Sequence, residues 1–239
     1  MRPLISAFLD VLYPPLCIGC GLRVRPHDVL CVRCIREMLN LPLSMEVSTL
    51  HLASLACACD ATMMLVGWEY EDGGVLERCI HAMKYRRLHQ VGEWLGRLLG
   101  EGLVGNPLLD HNPATERPLL LPVPLHRIKR IERGYNQADA ICRGLAYECE
   151  LEWDHNLLLR TRYTTSQSAS RLDRDERQAN VRKAFTVNGL RAEQLRGRPL
   201  IIVDDLVTTG ATIGACVDVL IQSGFSDVRI LAVARPPRH

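Results

Sequence analysis

Apolar residues along this chain follow two rhythms. Short, nearly unbroken runs stand at Met63 to Tyr70, Leu119 to Val123, Leu200 to Val203 and Val228 to Val233. Runs of this kind mark strands buried on both faces. Between them, apolar residues recur at intervals of three and four. The stripes are Leu76, Cys79, Ile80 and Met83; Leu88, Val91, Leu95, Leu98, Leu99 and Leu103; Ala138, Ile141, Cys142, Leu145, Ala146 and Cys149; and Ile213, Cys216, Val217, Leu220 and Ile221. Each stripe is one face of a helix. Strands alternating with helices predict an α/β protein, a mostly parallel sheet flanked by helices. The prolines of the second run, Pro122 and Pro124, fall at its far end, as strand geometry requires.

Punctuation refines this picture. Glu71-Asp72-Gly73-Gly74 is a turn signal that closes the first strand. The helix after it ends in Lys84-Tyr85-Arg86-Arg87, cations placed where the helix dipole favours them. Gly105 to Arg117, with two prolines, reads as a loop. His126 to Gln137 opens another helix, and Arg127, Lys129, Arg130 and Arg133 make its start basic against one acid, Glu132. Gly189 to Arg198 returns the chain to the central strand, Val228 to Val233 closes the sheet, and Arg235 to His239 is a short basic tail.

The stretch from Leu200 to Thr212 carries the clearest chemistry. A buried strand passes two adjacent carboxylates, Asp204 and Asp205, and ends in Val207-Thr208-Thr209-Gly210-Ala211-Thr212 before a helix. Strand, loop and helix in this order place unpaired amides at a helix N-terminus, a ready anion site. The threonines add hydroxyl donors, and Gly210 allows close approach to an anion. The acids repel a phosphate, and suit sugar hydroxyls or a magnesium ion shared with a diphosphate.

The ten cysteines divide into three groups. Cys17-x2-Cys20 and Cys31-x2-Cys34 form two knuckles that can supply four thiolates to tetrahedral zinc. Cys79, Cys142, Cys149 and Cys216 lie on helical stripes and read as small buried apolar residues. Cys57-Ala-Cys59, preceded by His51, has poor spacing for a second zinc knuckle. Met1 to Leu16 reads as an amphipathic helix rather than a signal peptide, and no run reaches membrane-spanning length. The expected location is cytoplasmic. Thin periodicity from Asn40 to Asp60 places a boundary near residue 60, giving an N-terminal helix and zinc-knuckle module over 1–60 and an α/β domain over 61–239. The net charge of +2 does not by itself call for nucleic acid. It conceals one cluster: Arg160 to Lys183 holds seven basic residues against three acids. Composition fits a solvated surface excursion; length within a domain fits a functional loop that closes over a diphosphate.

Val203 to Thr212 resembles the phosphoribosyl-diphosphate (PRPP) loop of type I phosphoribosyltransferases, in which two adjacent acids hold the ribose hydroxyls and a Thr-Thr-Gly-x-Thr loop wraps the 5′-phosphate. Across nearly the whole chain, landmarks similar to those of the ComF/GntX family follow in order. They are Leu12-Tyr-Pro-Pro-x-Cys17, Met83-Lys84-Tyr85, Pro122 to His126, Arg133-Gly-Tyr-Asn-Gln-Ala138, Gln167, Arg177, Asn180 to Phe185, and Asp204 to Gly210. The chain departs from the family in having only Cys57-Ala-Cys59 where members often carry a further regular knuckle pair, so one zinc is expected. The resemblance implies a type I phosphoribosyltransferase fold with a small N-terminal zinc-binding module, and a pyrophosphate site at the turn after Val123. It also implies a lid over Arg160 to Lys183 and a link to DNA uptake in natural transformation.

On this reading Asp204 and Asp205 orient ribose. Thr208, Thr209, Gly210, Ala211 and Thr212 anchor the phosphate. Lys84, Arg133, Gln167 and Arg177 serve the pyrophosphate side, with magnesium travelling with PRPP. The reaction moves phosphoribosyl to an acceptor that no motif specifies. The alternative is a non-catalytic module that binds PRPP and single-stranded DNA, with a helicase-like partner of DNA uptake.

Overall fold

The computed structural model of the protein describes residues 14–26, 28–41, 60–69, 72–113, 116–161 and 184–236. Five strands form one parallel sheet in the order β1-β7-β6-β2-β3. They are β1 (Met63–Glu69), β2 (Leu119–Pro122), β3 (Glu152–Trp153), β6 (Leu200–Leu206) and β7 (Val228–Arg235). Register follows from burial on alternate sides. Leu65, Leu120, Ile201, Val203, Leu231 and Val233 face one apolar cluster, while Met64, Val66, Leu119, Leu121, Ile202 and Ile230 face the other. With both faces buried, the strands are apolar throughout rather than alternating.

The first face is covered by α2 (Val75–Tyr85), α3 (His89–Leu103) and α5 (Gln137–Cys149). Helices α3 and α5 approach closely because Gly96 and Gly144 lie at their contact. A Cβ on either glycine would run into the backbone of the other helix. The second face is covered by α7 (Ala211–Gln222) and by a two-stranded antiparallel ribbon, β4 (Leu158–Arg160) with β5 (Phe185–Val187). The N-terminal module contributes α1 (Val32–Leu39). Its Cys34, Met38 and Leu30 belong to the same apolar cluster as Trp68 and Leu76, so the module and the sheet share one core.

Five sequence expectations change. The strand expected to close the sheet, β7, is an interior strand between β1 and β6; its complete burial, Val228 to Ala234, fits that place. The helix opened by His126 is two helices. Helix α4 (Arg127–Arg133) stops at Gly134, which takes the left-handed conformation with φ 82°, and α5 starts afresh at Asn136 as N-cap. The return segment from Gly189 contains a short helix, α6 (Gly189–Gln194), capped by Asn188. Finally, the basic stretch does not begin as a loop, because Arg160 pairs with Phe185 in the ribbon. The ribbon went unseen because three-residue strands carry too little periodicity to register. A 3-10 turn at Pro107–Leu109 also interrupts the loop read from Gly105 to Arg117.

Candidate active site and metal centre

The central strand β6 delivers the two acids at its carboxyl end. Alternation along a strand sends neighbouring side chains to opposite faces, so Asp205 follows Val203 towards the layer of α2 and α5. There Lys84, in the last turn of α2, places Nζ 2.9 Å from Asp205 Oδ2, with side-chain exposures of only 19% and 11%. Asp204 turns towards α7 and accepts the Asp205 backbone N–H at 2.9 Å. Burial raises the Asp204 carboxyl well above the ordinary carboxylate range, and the neighbouring charge of Asp205 raises it further. The Asp205 N–H and Lys84 pull it partly back.

Beyond the acids the chain turns into α7. Thr208 and Thr209 are exposed, and Gly210 adopts φ 76°, a left-handed conformation that a side chain would strain. No side chain caps α7; Thr209 Oγ1 reaches the Ala211 N–H only at 3.5 Å. The first turn of α7 therefore carries no side-chain cap and stands beside threonine hydroxyls, as an anion cradle needs. Ala211 and Thr212 are part-exposed in that turn.

Strand β2 ends beside this loop. The Val123 N–H donates to the Val203 carbonyl at 2.9 Å, tying the two strand ends together. Asn136 Nδ2 donates to the Val123 carbonyl at 3.0 Å, and its Oδ1 caps α5 through the Ala138 N–H. Arg133 donates to Gln137 Oε1 at 2.9 Å. The Tyr135 hydroxyl donates to the Met83 carbonyl at 2.8 Å. Next to the β2 end lies a cavity of about 370 Å³. Pro122, Pro124 and Leu158 give it apolar walls, and Arg127, Arg130 and Arg160 give it cations. Asp139 lines it too, and burial raises the pKa of that carboxyl.

The structure thus gathers Asp204, Asp205, Lys84 and the Thr208–Thr212 loop at adjoining strand and helix ends, with Arg133, the last residue of α4, tied to Gln137 of α5. Gln167, Arg177, His51, Cys57 and Cys59 lie outside the described residues. Sequence reading assigned no role to Tyr135, Asn136 and Gln137, although they stand inside the Arg133–Ala138 landmark. Asp139 and the cavity had no sequence signal, because the cavity's walls come from separate segments.

The four N-terminal cysteines meet as their spacing predicts. Leu16 bridges Arg23, and the Cys17 N–H donates to the Leu22 carbonyl at 2.8 Å, folding the first knuckle. Cys31 occupies the N-cap position of α1 without a side-chain cap, and Cys34 sits in its first turn. All four sulfurs lie within 4.8 Å of one another, and Cys20 and Cys31 are 3.6 Å apart. A zinc–sulfur bond of about 2.3 Å requires tetrahedral sulfurs about 3.8 Å apart. The set fits. The Cys31 N–H donates to Cys17 Sγ at 3.2 Å, the kind of outer hydrogen bond that steadies a bound thiolate. The Leu22 N–H is the chief reason that Cys20 is pulled down to about 6. Four cysteines in this arrangement can hold a metal ion. No other such cluster occurs among the described residues, and no helix there is long and apolar enough to cross a membrane.

No protein-family model matches the chain. It is 30% identical over 167 residues to the DNA utilization protein YhgH of Shigella flexneri, covering 67% of each chain. It is 28% identical over 116 residues to competence protein F of Haemophilus influenzae, covering 48% of this chain and 49% of that one. Among solved structures, a hypoxanthine phosphoribosyl transferase of Trypanosoma cruzi aligns with a TM-score of 0.36 and 10% identity, over 65% of this chain and 76% of the other. At so low a score, the fold class rests on the chain's own parallel strand order. The relatives, the acid–threonine loop on a parallel sheet and the four-cysteine module agree: the chain belongs to the ComF/GntX family, and its fold is a parallel sheet flanked by helices with a small four-cysteine module.

Proposed function

We propose that the strand-end site binds PRPP and supports phosphoribosyl transfer to a nitrogen or other nucleophilic acceptor, with release of pyrophosphate. The observation that carries this reading is the pairing of two opposed features at one place. An uncapped, threonine-rich helix N-terminus suits a phosphate, and next to it two carboxylates, one already matched by Lys84, suit sugar hydroxyls. Transfer breaks the bond between ribose C1 and the diphosphate oxygen and leaves positive charge on the sugar, so a protein serves it by position and charge rather than by a nucleophile. Asp204 and Asp205 hold the ribose, and the Thr208–Thr212 amides and hydroxyls hold the 5′-phosphate. Lys84 and Arg133, with Arg127, Arg130 and Arg160 around the cavity, face the departing diphosphate; Gln167 and Arg177 join them in this reading. Magnesium would arrive with PRPP and would offset diphosphate charge. Zinc in the four-cysteine site is structural, and the boundary near residue 60 separates that module from the transferase-like domain.

The names of the relatives favour a place in DNA utilization or competence. A second reading follows from them and from the exposed basic face of α4: the protein binds PRPP without turnover and contacts single-stranded DNA beside a helicase-like partner. Calorimetric titration of PRPP with magnesium into the wild type and into Asp204→Asn/Asp205→Asn tests the site. Binding that is lost in the double variant supports it, and absence of binding by the wild type refutes it. Pyrophosphate release with candidate acceptors then separates transfer from binding alone. A steeply salt-dependent affinity for single strands would favour the second reading.

A further inference from the structure

Lys84 reaches Asp205 from a helix end that needs outside help. Helix α2 stops at Tyr85, so its last carbonyls have no partners further along the helix. The Ala82 carbonyl is met by the Arg86 N–H. The Met83 carbonyl is met from a different segment: the Tyr135 hydroxyl donates to it at 2.8 Å and Gln137 Nε2 approaches at 3.5 Å. Met83 itself is fully buried and immediately precedes Lys84. A third tie joins the same two segments. Arg87, in the left-handed conformation with φ 57°, donates through Nη2 to the Glu132 carbonyl at 3.1 Å. The other side of the corner is fixed as well, since Gln137 accepts from Arg133 and Asn136 holds the β2 end through the Val123 carbonyl.

One corner therefore grips both parts of the site. The segment from Arg133 to Gln137 holds the β2 terminus on one side and the last turn of α2 on the other. Long lysine side chains lose considerable rotamer freedom when fixed. A lysine that must meet a nearly buried carboxylate depends on a backbone that does not move. We infer that Tyr135, assisted by Gln137, is a positioning residue for the proposed PRPP site: by capping the Met83 carbonyl it fixes the α2 terminus that sets Lys84 on Asp205. Tyr135 acts through Lys84. The inference rests on the PRPP reading for its consequence, and on the hydrogen bonds alone for its geometry.

Two measurements on the full-length protein separate these layers. The first needs no ligand. The chain has three lysines, Lys84, Lys129 and Lys183, so acetylation at each can be followed by peptide mass spectrometry. Tyr135→Phe removes only the hydroxyl. It is expected to make Lys84 react roughly fivefold faster, the ratio that corresponds to losing one hydrogen bond. Lys129 should be unchanged, and Cys79, buried in the same helix, should stay closed to thiol reagents. An unchanged Lys84 rate overturns the inference. So does a rise accompanied by exposure of Cys79, which is the mark of a loosened helix rather than a displaced side chain.

The second measurement is a double-mutant cycle on PRPP affinity. Tyr135→Phe is expected to weaken magnesium–PRPP binding several-fold in the wild-type background and to have no further effect in Lys84→Met. Equal losses in both backgrounds overturn the inference, because Tyr135 would then act independently of Lys84. If the wild type binds no PRPP while Lys84 still becomes reactive in Tyr135→Phe, the binding reading fails and the positioning contact stands.

Discussion

The four-cysteine centre and the strand-end site solve the same problem, converging polar groups in a fixed geometry, by opposite means. The cysteine centre is assembled from one short stretch, Cys17 to Cys34, by two knuckles and the first turn of α1. The strand-end site is assembled from Lys84 on α2, the β2 terminus, the α5 N-terminus and the end of β6. Its parts meet only because the sheet interleaves β6 between β7 and β2. A local centre of four thiols can be closed by a bound ion, since so short a segment buries little. A distributed site depends on the core beneath it. The two regions nevertheless share an apolar cluster, so this contrast can be tested by damage to either.

The largest effect is expected at the cysteine centre. Cys17→Ser, or stripping by a chelator under reducing conditions, should reduce bound zinc from about one equivalent to near zero. Structural zinc contributes on the order of 10 kcal/mol to small modules, so residues 14–41 should become susceptible to limited proteolysis. A cleavage pattern identical to wild type would mean that the shared core, not the ion, holds the module.

Next comes Asp205→Asn. It leaves Lys84 without its charge partner in a nearly closed environment, and a broken buried pair costs about 3 kcal/mol. Denaturant unfolding reads this directly. The pair Lys84→Met/Asp205→Leu should recover much of the loss, because two apolar groups leave no buried charge behind. A single variant as stable as wild type would show that the site, unlike the cysteine centre, draws no stability from its own charges.

A smaller effect of opposite sign belongs to Asp204. Its folded pKa is raised by burial and by the Asp205 charge. A raised carboxyl contributes stability below its unfolded pKa and loses it as pH climbs through the folded value. Asp204→Asn should therefore stabilise the ligand-free protein in the neutral to alkaline range while weakening PRPP binding, and the stability gain should fade as the solution becomes acid. Melting temperatures across pH check the sign. A gain that persists in acid would remove Asp204 ionisation as its cause. The smallest effect is at α4. Lys129 and Glu132 form an exposed pair one turn apart at 2.8 Å, so Glu132→Gln should change stability by about 0.3 kcal/mol. A loss several times larger would mean that α4 depends on its own surface rather than on the corner at Gly134.

What the linear pattern determined was whatever depends on near neighbours. The apolar runs announced β1, β2, β6 and β7, the stripes announced α2, α3, α5 and α7, and the cysteine spacing announced the metal-capable cluster. Each is set by backbone periodicity or by a turn of a few residues, so each is legible without knowing where the rest of the chain goes. The Asp204–Thr212 loop was legible for the same reason, since strand, acids, threonines and helix start follow one another directly. Tertiary structure decided the rest. That β7 lies inside the sheet, that Lys84 meets Asp205, that Tyr135 caps the Met83 carbonyl and that a cavity opens beside Pro122 all require segments far apart in sequence to pack side by side. Such contacts are selected by the burial of both sheet faces at once, and no window of the sequence contains both halves of any of them.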